Sequence, residues 1–241
     1  MSGQTGTPET GPANVLPGSR SALDPGRAIK PGRHGLSPET VAAIQRERLI
    51  DAFVQVASER GFTHTTISRV TEGAGVTKKT FYAHFTDLDD CFLAAYQRGM
   101  DILLGRMTRA YESASSRPDG IHAVLRTLLV DLAREPRFAR VSLVEANAAG
   151  RRVRQARIDD LARFRGFFTG PSLPPVPAAV VDAIVGGIYS AIHVQMETGE
   201  AEELPSLLPS LTYFALLPLI GREAASPYLT DESAEEPPER G

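Results

Sequence analysis

The chain has one cysteine and no tryptophan. Cys91 is the only cysteine among 241 residues, so an intrachain disulfide is impossible and a zinc site built from several cysteines is excluded. The first thirty residues lack the apolar run of a secretion signal, and no uninterrupted apolar stretch approaches the roughly 18 residues of a membrane helix. We therefore expect a cytoplasmic protein with no membrane partner.

An excess of positive charge is also absent. The sequence contains 26 Lys and Arg against 29 Asp and Glu, for a formal net charge of -3. The protein as a whole therefore lacks the electrostatic footprint of a nucleic-acid-binding protein, and any anion binding must be local. Its 42% hydrophobic composition is enough for one ordinary core, or for a small domain joined to a larger one.

Patterns typical of catalysis are missing as well. No phosphate-binding glycine loop occurs, and the histidines show no metal-ligand spacing such as H-x-x-x-H. Cys91 is conceivable as a nucleophile, but it falls on the apolar side of a predicted helix, where a small buried side chain is ordinary. We predict that the protein is not an enzyme and holds neither a cofactor nor a metal. The histidines are His34, His64, His84, His122 and His193.

Composition divides the chain into four parts. Residues 1–36 contain seven Gly and five Pro, too few large apolar residues to offset chain entropy, and are predicted to form a disordered basic arm. Residues 226–241 are predicted to form a disordered acidic tail. We expect neither end to pack. Between them the periodicity is helical, which predicts an all-α fold with a small domain over 37–86 and a larger one over 87–225.

The basic arm repeats Pro-Gly-Arg, which suggests a second hypothesis for its role. Flexible arginines such as Arg27 and Arg33 are able to enter an A·T-rich minor groove and extend a DNA footprint. An inert solubilising tail is an equally good interpretation of the same residues.

The small domain is punctuated as a helix-turn-helix. Capping threonine or serine residues precede three apolar-periodic segments, and glycines follow the first two. Two short helices joined by "GAGV" match that motif in length. The predicted caps are Ser37, Thr65 or Thr66, and Thr77, and the predicted stops are Gly61 and Gly75.

The stretch "GVTKKTFYAHF", residues 75–85, predicts a surface that suits DNA. On a helix, Phe81 and Phe85 point to the core, whereas Lys79 and Thr80 lie opposite and Tyr82 lies on a flank. Amines, a hydroxyl and a phenol at a helix N-terminus are groups that contact phosphates and base edges. The alternative is a simple solvated face, because residues 37–90 carry six basic and eight acidic residues.

Residues 49–96, "LIDAFVQVASERGFTHTTISRVTEGAGVTKKTFYAHFTDLDDCFLAAY", resemble the N-terminal domain of TetR-type transcriptional regulators. The matching features are E-x-G, T-T, A-G-V and T-F-Y-x-H-F at the family's spacing. The resemblance implies an all-α, repressor-like homodimer whose helix 77–84 enters the major groove, while the larger half binds a ligand and dimerises. It assigns DNA contacts to Thr66, Thr77, Lys78, Lys79, Thr80, Tyr82 and His84.

The larger half offers candidates for ligand contacts. They are polar or aromatic residues on helices that should face the interior, and together they suggest a mostly apolar pocket with a few hydrogen-bonding points. Each is also consistent with an ordinary core position. The sequence does not specify the small-molecule effector. The candidates are Tyr111, Glu145, Asn147, Phe164, Phe168, Tyr189, His193 and Met196.

Helices predicted over about 178–198 and 204–222 are apolar around most of their circumference. We expect them to form the interface of a homodimer, with Gly186 and Gly187 permitting close backbone approach. A monomer that covers them with other helices is the alternative.

The sequence therefore predicts a ligand-responsive dimer that binds a palindromic DNA operator as a repressor, with activation also open. The alternative function is a helical small-molecule- or protein-binding module that retains the helix-turn-helix as a scaffold. A purely architectural DNA-binding protein fits poorly with an acidic chain and a large apolar second half.

Overall fold

The structure is a computed structural model that describes residues 15–24, 36–170, 173–199 and 201–230. Short 3₁₀ turns join α-helices along the described residues, and no strand occurs among them. The α-helices are α1 (Pro38–Arg60), α2 (Ile67–Ala74), α3 (Lys78–His84), α4 (Leu88–Glu112), α5 (Arg117–Arg134), α6 (Pro136–Leu143), α7 (Arg151–Arg165), α8 (Ala178–Thr198) and α9 (Leu208–Ala225).

The helix boundaries of the small domain follow the predicted caps. The Ser37 hydroxyl accepts a hydrogen bond from the Thr40 N–H at 3.2 Å, and Pro38 occupies the first turn, where its missing N–H leaves no donor unpaired. Thr66 caps α2 and Thr77 caps α3 in the same way. Gly75 ends α2 in the left-handed region at φ 61°, which a residue with a Cβ rarely adopts.

The core of the small domain is built around aromatic rings. Phe53 of α1 packs on Phe92 of α4 with ring centroids 5.2 Å apart, and Phe62 contacts both rings. Phe81 of α3 is fully buried in the same cluster. Burial of a ring of this size contributes on the order of 2 kcal/mol, so the aromatic cluster holds α3 against α1 and α4.

The larger domain encloses a second core. It is formed by apolar residues of α4, α5, α8 and α9, with Phe138 of α6 and the aromatic residues that follow α7. Helix α4 contributes to both cores, because Phe92 and Ala95 lie in the first and Leu103 and Met107 in the second. The predicted all-α fold, with an N-terminal helix-turn-helix domain and a larger helical domain, is confirmed.

Both predicted unstructured ends differ from expectation in part. Leu16 is 1% exposed and Ala22 is 2% exposed, so residues 15–24 of the predicted arm pack against the protein. They pack because the Leu16 and Ala22 side chains enter the hydrophobic cores and Gly18 fits closely against α1. Ser226–Leu229 form a 3₁₀ turn in which the Tyr228 hydroxyl donates to Asp119 at 2.6 Å. Arg27 and Arg33 lie outside the described residues, as does the tail from 231 onward.

Of the last two helices, α8 has the predicted bounds, whereas α9 differs from the prediction at its start. α9 begins at Leu208 rather than near 204, because Ala201–Leu207, which contains Pro205, forms a 3₁₀ segment. By length and composition alone, α8 and the segment Ala201–Leu229 are apolar enough to cross a membrane. The sequence criterion of an uninterrupted apolar run did not detect these two segments, because charged residues interrupt them, as Asp182 does in α8. About a third of each apolar window is buried within the protein, 33% and 39%.

Gly99 lies in a close contact between α4 and α6. A Cβ at this position would lie 2.1 Å from the Phe138 ring, whereas a Cβ at Gly105 on the same helix would meet only the Arg109 guanidinium at 3.7 Å. We predict that Gly99→Ala lowers the free energy of unfolding by about 1–3 kcal/mol through overpacking. Gly105→Ala is the matched control and should raise it by up to about 1 kcal/mol through helix propensity. Urea denaturation measures both, and equal effects would contradict this account.

Candidate DNA-reading surface and ligand cavity

Helix α3 is oriented by its buried aromatic side. Phe81 is 0% exposed and Phe85 is 3% exposed, and their rings contact each other with centroids 5.6 Å apart. The Arg46 guanidinium of α1 lies 5.3 Å from the Phe85 centroid, within range of a cation–π contact. These contacts fix the rotation of α3 about its axis and thereby decide which side chains face solvent.

The outward face of α3 carries the predicted DNA-contacting groups. Lys78 and Lys79 are exposed, and Tyr82 is 59% exposed, which is unusual for a ring of its size. The Thr77 hydroxyl accepts from the Thr80 N–H at 3.1 Å and lies 3.0 Å from the Thr80 hydroxyl. The two lysines, the tyrosine and the Thr77–Thr80 hydroxyl pair therefore lie on the solvent side of α3.

Thr66 and His84 border this surface. Thr66 is exposed at the start of α2, where its hydroxyl accepts from the Arg69 N–H at 3.4 Å. His84 is half-buried, and burial together with the nearby Arg46 guanidinium lowers the pKa of its imidazole. A neutral His84 at physiological pH is suited to donate a hydrogen bond rather than to supply charge.

A cavity lies in the larger domain between α4, α5, α6, α7 and α8. Five of its residues come from one face of α4, at the spacing i, i+4, i+7, i+8, i+11. Most of the remaining lining is also aliphatic. The lining residues are Tyr96, Met100, Leu103, Leu104, Met107, Leu128, Leu132, Ser142, Leu143, Arg157, Asp160, Leu161, Phe164, Val185, Ile188, Tyr189 and Ile192.

Polar groups in the cavity wall come mainly from α7 and α8. The Arg157 guanidinium donates to the Tyr189 hydroxyl at 2.8 Å and to Asn147 Oδ1 at 2.5 Å. Tyr189 in turn donates to the Leu143 carbonyl at 3.2 Å. Arg157 Nε is buried and has no hydrogen-bond partner among the residues that the structure describes. A bound ligand with an acceptor oxygen would satisfy this donor.

A second polar group in the wall is the Asp160 carboxylate. It is 8% exposed, and burial raises its pKa despite the hydrogen bond from Arg163. The Tyr96 hydroxyl hydrogen-bonds to Asp160, and burial raises the pKa of that phenol well above its usual range. Arg163 also donates to Asp101 at 2.9 Å, so it joins the cavity wall to the protein surface.

Two of the predicted ligand residues, Phe164 and Tyr189, line the cavity. Glu145 does not, because its carboxylate accepts the Phe62 N–H at 2.8 Å and so joins the two domains. Asn147 is exposed and reaches the cavity only through its bond to Arg157.

The other four predicted residues are also absent from the cavity lining. Phe168 is buried against Phe164 in the core, and Met196 is buried one turn beyond the last lining residue of α8. His193 stacks on Tyr189 with ring centroids 5.7 Å apart. Tyr111 packs on Phe167 toward the far end of α4. Sequence periodicity placed these side chains inward, but it did not separate a packed core from a cavity wall.

The prediction missed most residues that form the cavity. The apolar spacing from Tyr96 to Met107 along α4 is visible in the sequence and was an available signal. Arg157 gave no such signal, since it belongs to a helix with five other arginines and looks like one more solvated charge. Only the packing of α7 against α8 reveals that its guanidinium turns inward.

Cys91 has no catalytic surroundings. The thiol is fully buried and burial raises its pKa well above the usual range, so it stays protonated and unreactive. No cluster of three or more metal-ligating side chains occurs among the described residues.

The described geometry defines a class of protein: a helix-turn-helix DNA-binding domain joined to a helical domain with an internal cavity. A sequence model of the family "bacterial regulatory proteins, tetR family" matches residues 49–95. These residues are thus a TetR-type DNA-binding domain, and the resemblance identified from the sequence is confirmed.

Curated relatives with similar sequences are transcriptional regulators. The chain is 24% identical over 108 residues to the fatty acid metabolism regulator protein of Bacillus subtilis, covering 45% of this chain and 56% of the relative. It is 25% identical over 129 residues to an HTH-type transcriptional regulator of Haemophilus influenzae, covering 52% of this chain and 63% of that protein. Less than two thirds of either relative is therefore spanned. The prediction that the protein is not an enzyme is confirmed by these relatives.

Solved structures share the fold over a longer stretch. The fatty acid degradation regulator FadR of Bacillus halodurans superposes with a TM-score of 0.64 at 18% identity, covering 74% of this chain and 97% of that one. FadR of Bacillus subtilis in complex with stearoyl-CoA gives 0.63 at 19% identity, covering 72% and 97%. The larger domain of this protein therefore has the fold of those regulators.

Proposed function

We propose that the protein is a dimeric repressor that binds a palindromic operator through α3 and is released when a long-chain acyl thioester occupies the cavity. The observation that carries the DNA-binding part is the outward face of α3. It presents Lys78, Lys79 and Tyr82 while Phe81 and Phe85 hold the helix from behind. Lysine pairs with phosphates or guanine acceptors, and a phenol donates to phosphate.

A single α3 reads few base pairs, so a second copy is needed for a specific site. Two recognition helices about 34 Å apart, one DNA turn, would read a palindrome in successive major grooves. A dimer also doubles the local positive charge contributed by the exposed lysines, which matters because the chain as a whole is acidic.

Exposed stripes on α8 and α9 support a homodimer through these helices. On α8 the stripe runs at helical spacing and ends at Val194, which is 56% exposed. On α9 Phe214 is 43% exposed and Leu217 is 39% exposed. Neighbouring helices that both expose apolar residues are typical of a four-helix interface between two subunits. The stripes are Ala183, Gly186, Ser190 and Val194, and Ser210, Phe214, Leu217 and Gly221.

The two predicted interface glycines have different surroundings. A Cβ at Gly187 would lie 2.7 Å from the Phe214 ring of the same chain, so this glycine allows α9 to approach α8 within one subunit. A Cβ at Gly186 would meet nothing within 4 Å. In the proposed dimer, Gly186 is therefore the position where a partner helix approaches closely.

The cavity supports an acyl effector. Its aliphatic lining suits a hydrocarbon chain, and Arg157 Nε supplies a buried donor for a carbonyl or thioester oxygen. The structural neighbour with stearoyl-CoA bound has the same fold. A ligand between α4 and α8 would touch Tyr96, whose side chain also belongs to the core of the DNA-binding domain. If the ligand binds one arrangement of α4 more tightly than another, its binding shifts the population toward that arrangement and so changes the spacing of the two α3 helices in the dimer.

We predict that Lys79→Ala weakens operator binding, because one phosphate contact is lost. The slope of log K against the logarithm of salt concentration should fall in magnitude by about one. Tyr82→Phe should weaken the free energy of operator binding by about 1 kcal/mol, because a hydrogen bond is lost. Arg109→Ala, an exposed position in the last turn of α4, is the control and should change neither. Selection from a random duplex pool provides the operator, and fluorescence anisotropy measures affinity. No enrichment at low salt would favour the alternative of a retained scaffold.

The acyl effector predicts a second result. Stearoyl-CoA should bind the purified protein and lower operator affinity, and Arg157→Met should weaken stearoyl-CoA binding by roughly 10-fold or more through loss of a charged donor. Arg154→Met on the same helix, outside the cavity lining, should bind stearoyl-CoA normally. Titration calorimetry measures both. Equal weakening in the two variants would show that Arg157 does not contact the ligand.

The dimer is tested by placing a charge on the exposed stripes. Phe214→Glu and Val194→Glu should each convert a dimer to a monomer at micromolar concentration, because the carboxylate would be buried without a partner. Ile158→Glu is matched to them, since Ile158 of α7 is likewise 56% exposed but lies off the stripes. Light scattering gives the mass. A wild-type monomer, or dissociation of Ile158→Glu as well, would overturn the proposed interface.

A further inference from the structure

Residues 15–24 connect the two hydrophobic cores through a short stretch of chain. The Leu16 side chain is buried in the core of the larger domain, and Ala22 is buried in the core of the DNA-binding domain. Six residues span at most about 20 Å, and here the span is shortened further by turns at Leu16–Ser19 and Ser21–Asp24. The segment is therefore fastened at both ends with little slack.

Polar contacts fasten the same segment to α1. The Gly18 N–H donates to Asp51 Oδ1 at 2.8 Å, and Asp51 is 7% exposed. The Arg48 Nε donates to the Ala22 carbonyl at 2.9 Å. A buried hydrogen bond to a carboxylate is stronger than a neutral one, so these contacts hold the segment in one register along α1.

Gly18 lies where α1 and α6 approach each other. Its φ is 85°, and a Cβ there would lie 2.4 Å from Val54 Cγ1 of α1 and 3.8 Å from the Arg137 Cβ of α6. Only a residue without a side chain fits this position. The Leu16–Gly18 part of the segment is thus buried beside α1 and α6, whereas Ser21 and Leu23 are exposed, Leu23 by 59%.

The far end of the segment reaches the turn that precedes the recognition helix. A Cβ at Gly75 would lie 3.0 Å from Leu23 Cδ2 and 2.7 Å from the Arg48 guanidinium. Gly75 joins α2 to α3 and lies two residues before the Thr77 cap. The segment therefore leads from the core of the larger domain to the turn before α3, where the partly exposed Leu23 side chain covers Gly75.

We propose that residues 16–23 act as an interdomain strap that holds the turn between α2 and α3 in register with the larger domain. Leu16 anchors the strap in the larger domain, and Leu23 lies over Gly75 in the turn between α2 and α3. A shift of the helices around Leu16 is thereby transmitted to α3 through the strap, in addition to the path through α4. The strap is a positioning element and touches neither DNA nor effector in this proposal.

Hydrogen exchange of the full chain tests the strap without an operator or an effector, so its outcome is independent of the proposed function. Leu16→Ala should speed exchange most strongly in α2 and α3, by about 10-fold or more relative to the change in α5 and α8. Leu129→Ala, a fully buried residue of the same core that lies off the strap, is the matched control. It should speed exchange most strongly in α5 and α8.

If Leu16→Ala instead affects α5 and α8 most, as Leu129→Ala does, Leu16 is only a core residue and the strap is overturned. Leu16→Val provides a milder version should the alanine variant fail to fold. Removal of residues 1–24 should speed hydrogen exchange in α2 and α3, as Leu16→Ala does. Removal of residues 1–14 should leave the exchange rates of these helices as they are in the full chain. Loosening of α2 and α3 by the shorter deletion would also contradict the proposal.

Discussion

One helix buries side chains in both hydrophobic cores, and the arrangement of the protein depends on this constraint. The N-terminal half of α4 packs Phe92 and Ala95 in the core that it shares with α1, and its C-terminal half packs Leu103 and Met107 in the core that it shares with α5. An α-helix is stiff over this length because each turn is hydrogen-bonded to the next. The DNA-binding domain therefore cannot move relative to the cavity without repacking one of the two cores.

Carboxylates and backbone amides reinforce this junction at three places. Glu145 accepts the Phe62 N–H, Asp89 accepts the Gly150 N–H at 3.0 Å, and Asp51 accepts the Gly18 N–H. Each bond joins the DNA-binding region to a different segment of the chain. Loss of a partner from such a partly buried bond costs more than the bond contributes in water, so these acidic residues serve the connection between domains rather than ligand or catalytic chemistry. They also account for part of the acidic charge of a protein proposed to bind DNA.

Local sequence features predicted the helix-turn-helix domain closely. The caps Ser37, Thr66 and Thr77 and the stop at Gly75 depend on short-range hydrogen bonds and on backbone conformation, both of which are encoded within a few residues. The cavity was less predictable. Glu145 and His193 face inward as periodicity suggested, yet one contacts a backbone amide and the other a tyrosine ring. Distinguishing a cavity wall from a packed core requires the positions of helices far apart in the sequence.

By itself, the sequence determined the helical fold, the boundaries of α1 and α2, the start of α3, and the outward placement of Lys79 and Tyr82, because these follow from periodicity and capping over neighbouring residues. Tertiary structure alone decided that Arg157 turns toward the cavity, that residues 15–24 pack against the protein, and that α4 belongs to both cores. Those features arise from contacts between residues separated by 30 positions or more, such as Gly18 with Asp51 and Arg157 with Tyr189. Such contacts leave no periodic signal within either segment.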